Sequence, residues 1–572
     1  MCRIYFFNIK YTYMKMLQKF SQNTFLFLLT CAAIYSCAPP GNWELANKNK
    51  DLLRVSTIFT AQDVRDKLSS ETGLDSAIAW CKAAGITRVF VESFRGYTAE
   101  REALENAKRQ FEAAGIEASG CVTTVNFGKQ TTGWPLLACY TSDTTRQELV
   151  RIFEYTASIF DVIMIDDFLF TDCECEECLE ACGDQNMSEY RCEMMNMISR
   201  EYIQKPARAV NPNVKIINKF PQWYDRFHER GYEVIGEIES YDITWVGTET
   251  RDNDFVNDSE GLNLPQYGAY YIMRWLKDLG KDKTEGGWFD ALGTTEKTYV
   301  EQARQTVLAD ATELMLFSYG GLIRETNSYG NRTGTGIANT EAFKKELPGL
   351  FELAKLIDGK PIKGVLATKP PNSSPKIFYD SAGVKISRKD ETYIYNFLGM
   401  LGIPLVPTGE IDMNAQAAFF PIHMIKDPDF DSKLENFVAA GKPVLVTDGL
   451  AGHLGDLEQF ENVQVLQVDG RPREILRLSR EEVNQMRNKM LEPFGIKFNA
   501  PTMVSLYLMG DDLLIIENFR DEPVAVQLDT EYGMNPSIEL TLPVEAQVAN
   551  TFGERSLEFS ELPPRTLVVV RY

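Results

Sequence analysis

Residues 161–170 read DVIMIDDFLF: four apolar side chains run without interruption into Asp166 and Asp167, and aromatic residues follow. A short run with no polar face reads as a strand covered on both sides, as in a parallel sheet. Acids at the point where such a run stops place carboxylates at the strand's exit. Seven more runs of this kind flank it: RVSTIF from Arg54, TRVFVESF from Thr87, IEASGCVTTVNF from Ile116, NVKIINKF from Asn213, DITWVG from Asp242, GGWFDALG from Gly286 and ELMLFSYGG from Glu313. Amphipathic stretches, among them residues 99–114, 145–159, 188–210 and 295–309, lie between them. Eight βα units predict a closed (β/α)8 TIM barrel, class α/β, whose reactive groups sit on the loops after the strands. An open doubly wound sheet is the alternative that the same alternation permits.

The 572 residues exceed the roughly 250 that a barrel needs, so further domains are expected. All seven Trp lie at or before Trp288 and all eleven Cys at or before Cys192, which marks a change in composition after the barrel. We assign residues 50–358 to the barrel and read the Pro-rich KPIKGVLATKPPNSSPK (360–376) as a linker or edge. KIFYDS, ETYIYNFLGMLG, IPLVPTG, AAFFPI and LENFVAAGKPVLVTDG then predict a small flavodoxin-like or amidotransferase-like α/β domain over 359–497. It carries no nucleophile elbow, so a structural role is expected of it. From 498 to 572, SLYLMG, DLLIIENF, VAVQLD, SIELTLP, VEAQVAN and RTLVVVRY predict a β-sandwich.

With 59 bases against 81 acids, the net charge of −22 disfavours nucleic acid and anionic lipid headgroups as partners. The three histidines, His228, His423 and His453, share no local motif, so acid-base chemistry is expected to fall to carboxylates without a catalytic cofactor. Residues 14–37, MKMLQKFSQNTFLFLLTCAAIYSC, have the form of a secretory signal, too short to span a bilayer as a mature helix. The end at Cys37 resembles a bacterial lipobox with an atypical Tyr. This predicts an exported lipoprotein, periplasmic or on the cell surface, held to the membrane through the lipid on Cys37; ordinary signal-peptidase cleavage is the alternative.

After the fourth strand comes Cys173-Glu-Cys175-Glu-Glu-Cys178, and Cys139 lies in the loop after the third. Three thiolates in a C-x-C-x-x-C turn plus one from a neighbouring loop supply the tetrahedron that zinc prefers. Disulfides are the competing reading for an exported chain, although C-x-C neighbours bridge poorly. Either way the site is structural, because four cysteine ligands leave no open position.

A barrel whose fourth strand ends in acids and continues into C-x-C-x-x-C, with a further cysteine after the third strand, resembles the glycoside hydrolase family 42 β-galactosidases. The resemblance implies a barrel, an α/β trimerisation domain and a small β-sandwich in that order, and hence a homotrimer. That family carries Asn-Glu at the fourth strand, the Glu being acid/base, where this chain has Asp166-Asp167. It carries a nucleophilic Glu at the seventh, where this chain has Trp288-Phe289-Asp290. The chain is therefore read as a divergent relative to which the galactosidase specificity does not transfer.

Glycoside cleavage needs two carboxyl groups across the scissile bond, one protonated and one ionised. Asp167, Glu249 and Asp290 end strands four, six and seven and are the expected catalytic acids, with Asp166 as support or as substitute for Asp167. Arg251 is placed to orient a carboxylate or a sugar hydroxyl, and to hold Glu249 ionised if the two pair. Lys219 and Glu92 are expected to contact the substrate or to bond the acids, with a barrel ion pair as the plain alternative for Lys219. Trp223 and Trp288 are expected to stack on sugar rings, while Trp245 is as readily core. The expected function is hydrolysis of an oligosaccharide or glycan. A non-catalytic carbohydrate-binding lipoprotein is the alternative, and a sugar isomerase or lyase using Lys219 comes third.

Overall fold

The computed structural model describes residues 41–166, 168–251, 264–329, 332–381, 384–455, 457 and 460–572. Two of the residues singled out above, Cys37 and Asp167, lie outside them.

Eight strands close into a parallel barrel in chain order: β1 (Arg54–Phe59), β2 (Arg88–Arg95), β3 (Glu117–Thr123), β4 (Val162–Ile165), β5 (Lys215–Phe220), β6 (Ile243–Gly247), β7 (Thr284–Asp290) and β8 (Glu313–Phe317). The pairing of Val55 with Leu314 joins β8 back to β1. The alternative open sheet is thereby excluded. Each strand sends one side chain inward to a common plug of Ile58, Phe90, Cys121, Met164, Ile217, Trp245, Trp288 and Met315. Neighbouring residues such as Val55, Val89 and Val91 turn outward into the main core under the helices, as the strand's period of two requires. Trp245 is core: a Cβ on Gly286 would sit 2.2 Å from its indole, so the missing side chain at 286 makes the room. Several strands stop earlier than the apolar runs suggested. In β3, β4 and β8 the runs continue past the ladder as the loops that carry the site.

After the barrel, β9 (Val365–Thr368), β10 (Leu405–Thr408), β11 (Ala418–Phe420), β12 (Val444–Thr447) and β13 (Val463–Leu466) form a parallel sheet in the order β10-β9-β11-β12-β13. That is the flavodoxin-like strand order. The segment read as a linker supplies one of its interior strands, paired on both sides. Pro361, Pro370 and Pro371 flank Val365–Thr368 without interrupting it, and all four strand residues are buried. KIFYDS, read as a strand of this sheet, pairs instead with Val384–Asp390 in a separate antiparallel hairpin.

The sandwich stacks two antiparallel sheets. One contains Ile362–Lys363, Val504–Met509, Leu513–Asn518, Thr566–Arg571 and Ser537–Leu542; the other contains Ile496–Asn499, Val524–Thr530, Ser556–Leu562 and Ala549–Phe552. Its inner faces enclose their own core around Phe498, Leu506, Ile516 and Phe559. The sandwich is clamped to the barrel helix Glu296–Leu308 by buried pairs, with Arg565 3.0 Å from Glu301 and Gln305 bonded to Tyr507 at 2.9 Å. Burial pushes the Glu301 carboxyl up to about 7 against the pull of Arg565 and Arg304. Among the described residues no helix is long and apolar enough to cross a membrane.

Candidate active site

The loops leaving the C-terminal ends of the barrel strands enclose a cleft of about 270 Å³, bounded by charged residues on its floor and aromatic residues along one wall. The floor is a chain of alternating charges, drawn from β2, β5 and the residues just after β4 and β6. Arg95, at the end of β2, donates to Glu92 at 2.8 Å and to Asp166 at 2.7 Å. The Thr123 hydroxyl bridges Glu92 and Asp166, 3.0 Å from the latter. Lys219 on β5 continues the series, with Nζ 4.0 Å from Asp166 Oδ1 and 3.2 Å from Glu249 Oε1. Glu92 also accepts from the Ala61 amide at 2.7 Å and is fully buried. It is thus a fixed part of the scaffold beneath Asp166.

Glu249 follows β6. Gly247, ending that strand, lets the carboxylate fold back: a Cβ there would lie 2.7 Å from Glu249 Oε2 and 2.8 Å from the Gln222 amide nitrogen. Burial raises the Glu249 carboxyl above its ordinary value and nearby Asp290 adds to this, while Lys219 and Arg251 pull the other way. Its Oε2 is buried with no hydrogen-bond partner, as is Oε1 of Gln222, which lines the same cleft. Buried polar atoms are rarely left unpaired. Two such oxygens on one cavity make a site for hydroxyl or N–H groups of a ligand.

Arg251 pairs with Asp290, an ion pair the sequence did not indicate. Its Nε and Nη2 reach Asp290 Oδ1 and Oδ2 at 3.2 and 2.7 Å in a two-pronged bridge. The backbone at Arg251 is left-handed, φ +63°, a costly conformation for a residue that carries a Cβ. Gln302, from the helix after β7, holds it there by accepting from the Arg251 amide at 3.2 Å and donating to the Asp290 carbonyl at 3.1 Å. The bridge fixes Asp290 at the rim of the cleft that Asp166 also lines.

The aromatic wall is built from three loops. Trp134, 39% exposed, comes from the loop after β3 and lies 5.6 Å from Phe168 and 6.5 Å from Phe170, both after β4. Phe170 meets Trp223, from the loop after β5, edge-on at 5.1 Å. Trp288 plays a different part from the open platform expected of it. Only 3% exposed, it stacks on Phe317 at 4.8 Å, and Lys219 Nζ lies 4.1 Å from its ring centre. The indole seats the lysine by a cation–π contact.

Cys139, Cys173, Cys175 and Cys178 gather beside this wall, all four sulfurs within 4.8 Å of one another. Cys139 stands 3.7 Å from Cys175 and 3.5 Å from Cys178. A tetrahedron with metal–sulfur bonds of about 2.3 Å has sulfur–sulfur edges of roughly 3.8 Å, so the donor set and its spacing fit a tetrathiolate metal. The eight cysteines among the described residues are free thiols. Cys182 and Cys192 do not pair, each turning to a backbone carbonyl, that of Gln185 and that of His228.

The fold therefore brings Asp166, Glu249, Asp290, Lys219, Arg251, Trp223 and Trp288 to one cavity. It places Glu92 one layer beneath. Arg95, Thr123, Gln222, Gly247 and Gln302 were not foreseen. Arg95 carried a weak signal, three residues after Glu92 at a strand end; Gln302 sits in a helix far along the chain and carried none.

An eight-stranded barrel with paired acids at its C-terminal rim defines an enzyme scaffold, and the comparisons identify which. Residues 42–348 match the family described as "Probable glycosyl hydrolase, catalytic domain". The chain belongs to that family. An uncharacterised protein of Saccharolobus solfataricus is 28% identical over 303 residues, 47% of this chain and 49% of that protein, so the match spans about half the length of that curated relative. Among solved structures, α-L-fucosidase isoenzyme 2 from Paenibacillus thiaminolyticus superposes with a TM-score of 0.57 at 9% identity, covering 91% of this chain and 99% of that one. That likeness is one of fold. The apo family 42 exo-carrageenase from Bacteroides ovatus gives 0.45 at 11% identity over 91% and 79%.

Proposed function

We propose that this cleft cleaves a glycosidic bond of an oligosaccharide or glycan side chain with Glu249 as proton donor and Asp290 as the second carboxylate. One observation carries the reading: a buried glutamate whose carboxyl is biased toward its protonated form keeps one oxygen unpaired on the cavity. A protonated Glu249 gives its proton to the glycosidic oxygen as the bond from that oxygen to the anomeric carbon breaks. Asp290, held as the anionic half of an ion pair by Arg251, stabilises or attacks the carbon that is left. Water supplies the hydroxyl that ends on that carbon, and its spare proton returns to a carboxylate. Lys219 restrains Glu249 and Asp166 together; with Nζ 3.2 and 4.0 Å from their oxygens, those oxygens stand no more than 7.2 Å apart. Gln222 and the aromatic wall take the hydroxyls and the C–H faces of the sugar.

Descent from the family 42 β-galactosidases with replaced acids is part of this reading. It is supported by the domain order and by four cysteines on the loops after β3 and β4. We also propose a structural zinc on Cys139, Cys173, Cys175 and Cys178, where it would tie the two loops that carry Trp134, Phe168 and Phe170. Export with lipid on Cys37 belongs to the same proposal, and a Cys37→Ser chain that still takes up labelled fatty acid counts against it.

The test is a screen of aryl glycosides and oligosaccharides with the parent and with Glu249→Gln and Asp290→Asn. Turnover by the parent that both changes abolish is the expected result. Saturable sugar binding with no turnover on any substrate replaces the hydrolase with a carbohydrate-binding protein.

A further inference from the structure

The α/β domain has no catalytic motif, yet its ligand-binding position is filled. In an open parallel sheet, ligands bind outside the C-terminal strand ends where the strand order reverses. In the order β10-β9-β11-β12-β13 that point lies between β9 and β11. Lys369 directly follows β9, and His423 stands three residues after β11. What sits between them is a carboxylate of the barrel, Asp225.

Asp225 has no solvent exposure. Its Oδ1 lies 2.9 Å from His423 Nε2 and 4.0 Å from Lys369 Nζ, and its Oδ2 accepts from the Tyr393 amide at 2.6 Å. The preceding Tyr224 is equally buried and donates its hydroxyl to Asn396 Oδ1 at 2.8 Å. Lys369 lies 4.7 Å from the ring centre of Trp275 and is boxed in by aromatic residues. Burial would raise the Asp225 carboxyl, but His423, Lys369 and the Tyr393 amide outweigh it and hold the group below its ordinary value. Burying three ionisable groups in one spot is costly unless each is satisfied. The two residues just before this anchor are Trp223 and Gln222, both on the catalytic cleft.

We propose that the α/β domain binds the barrel's own loop as a ligand in cis, and that Asp225, His423 and Lys369 are positioning residues that set Gln222 and Trp223 against the substrate. This deepens the hydrolase reading and rests on it for its kinetic part. The α/β domain thereby acts on specificity. Its crevice grips Asp225 on the far side of the turn, and the sugar-facing side of the same turn is fixed as a result. The coupling runs through four consecutive residues, 222–225, with no mobile element between.

The test uses the full chain with His423→Leu, which removes the donor to Asp225, His423→Gln, which restores one, and Asp225→Ala. Hydrogen exchange of the amides at 222–226 is expected to quicken about tenfold or more in His423→Leu and Asp225→Ala, with β1 unchanged and with recovery in His423→Gln. On a turned-over glycoside, KM is expected to rise about tenfold while kcat falls less than about threefold. Unchanged exchange at 222–226 in His423→Leu overturns the proposal. So does a loss of protection spread evenly over β1 and 222–226, which marks a merely structural contact. If Asp225→Ala does not fold, the two His423 variants decide the question. If the parent turns over no glycoside, the hydrolase reading fails, and the exchange measurement still decides whether this crevice holds the loop.

Discussion

Replacing Glu249 by Gln keeps the side chain's size and its hydrogen bond toward Lys219 while removing the proton it can deliver. A positioned general acid contributes about 10²- to 10⁴-fold to a rate, or about 2.7 to 5.4 kcal/mol of transition-state stabilisation. The expected loss in kcat/KM on an alkyl glycoside or an oligosaccharide lies in that range. A dinitrophenyl leaving group departs without protonation, so there the loss should shrink to about tenfold or less. The pH profile gives a second reading. Burial raises the Glu249 carboxyl, and an acid works only while protonated, so the parent's activity should fall as pH rises through a value above the ordinary glutamate range. Glu249→Gln should lose that alkaline limb. Lys219→Met should move it further up, because the ammonium 3.2 Å away opposes the shift. Stopped assays from pH 4 to 9 on both substrate types measure all of this. Equal losses on the two leaving groups, with the alkaline limb intact in Glu249→Gln, would refute the assignment of the proton donor.

Other residues make separate predictions. Arg251→Lys exchanges a two-pronged bridge to Asp290 for a single contact, and kcat/KM is expected to fall about 10- to 100-fold with little change in melting temperature. For the cysteine site, elemental analysis of the parent should find close to one zinc per chain; Cys175→Ser should lower both the zinc content and the melting temperature, and a metal-free parent with its four thiols oxidised removes the tetrathiolate. Glu301 has a folded value of about 7 against an ordinary one near 4.5, so its share of stability is complete below about 4.5 and lost as pH rises through about 7, a difference of roughly 3 kcal/mol. Chemical denaturation at pH 5 and 8 should show a smaller drop for Glu301→Gln than for the parent, and parallel drops remove Glu301 as the source.

The barrel was legible because its strands are buried on both faces, which writes each as an unbroken apolar run ending where the chain turns polar. The same rule pointed to Glu249, Asp290 and the Asp166-Asp167 pair, with Asp167 preferred; of these Asp166, Glu249 and Asp290 line the cleft, and Asp167 lies outside the described residues. It failed for Val365–Thr368, whose four residues are too short a run to stand out among the prolines around them. Trp288 lines the cleft but is nearly buried, stacked on Phe317 with Lys219 over its ring, and a Trp at a strand end reads alike whether it stands open or seats a lysine. Which acid pairs with which base was illegible. Arg251 stands two residues from Glu249 yet bridges to Asp290, and that choice is made by a left-handed backbone and by Gln302 some fifty residues away.

The charges at the rim also explain how several acids can be buried together in one cleft. From Glu92 through Arg95, Asp166 and Lys219 to Glu249, cations alternate with acids, and Arg251 with Asp290 forms a second such unit. An acid inserted at any one strand end would be repelled or left uncompensated in a buried setting unless its neighbour were a cation. Lys219 and Arg251 are therefore conditions for having Glu249 and Asp290 where they are, more than additions to them. A change that removes a cation should cost more than the matching change that removes its acid, because it leaves a buried carboxylate alone, whereas loss of the acid leaves a long cation free to turn toward water. Lys219, 1% exposed beneath Trp288, is the exception: it has nowhere to turn, so Lys219→Met and Glu249→Gln should each destabilise the fold, and the double change should restore part of what either loses.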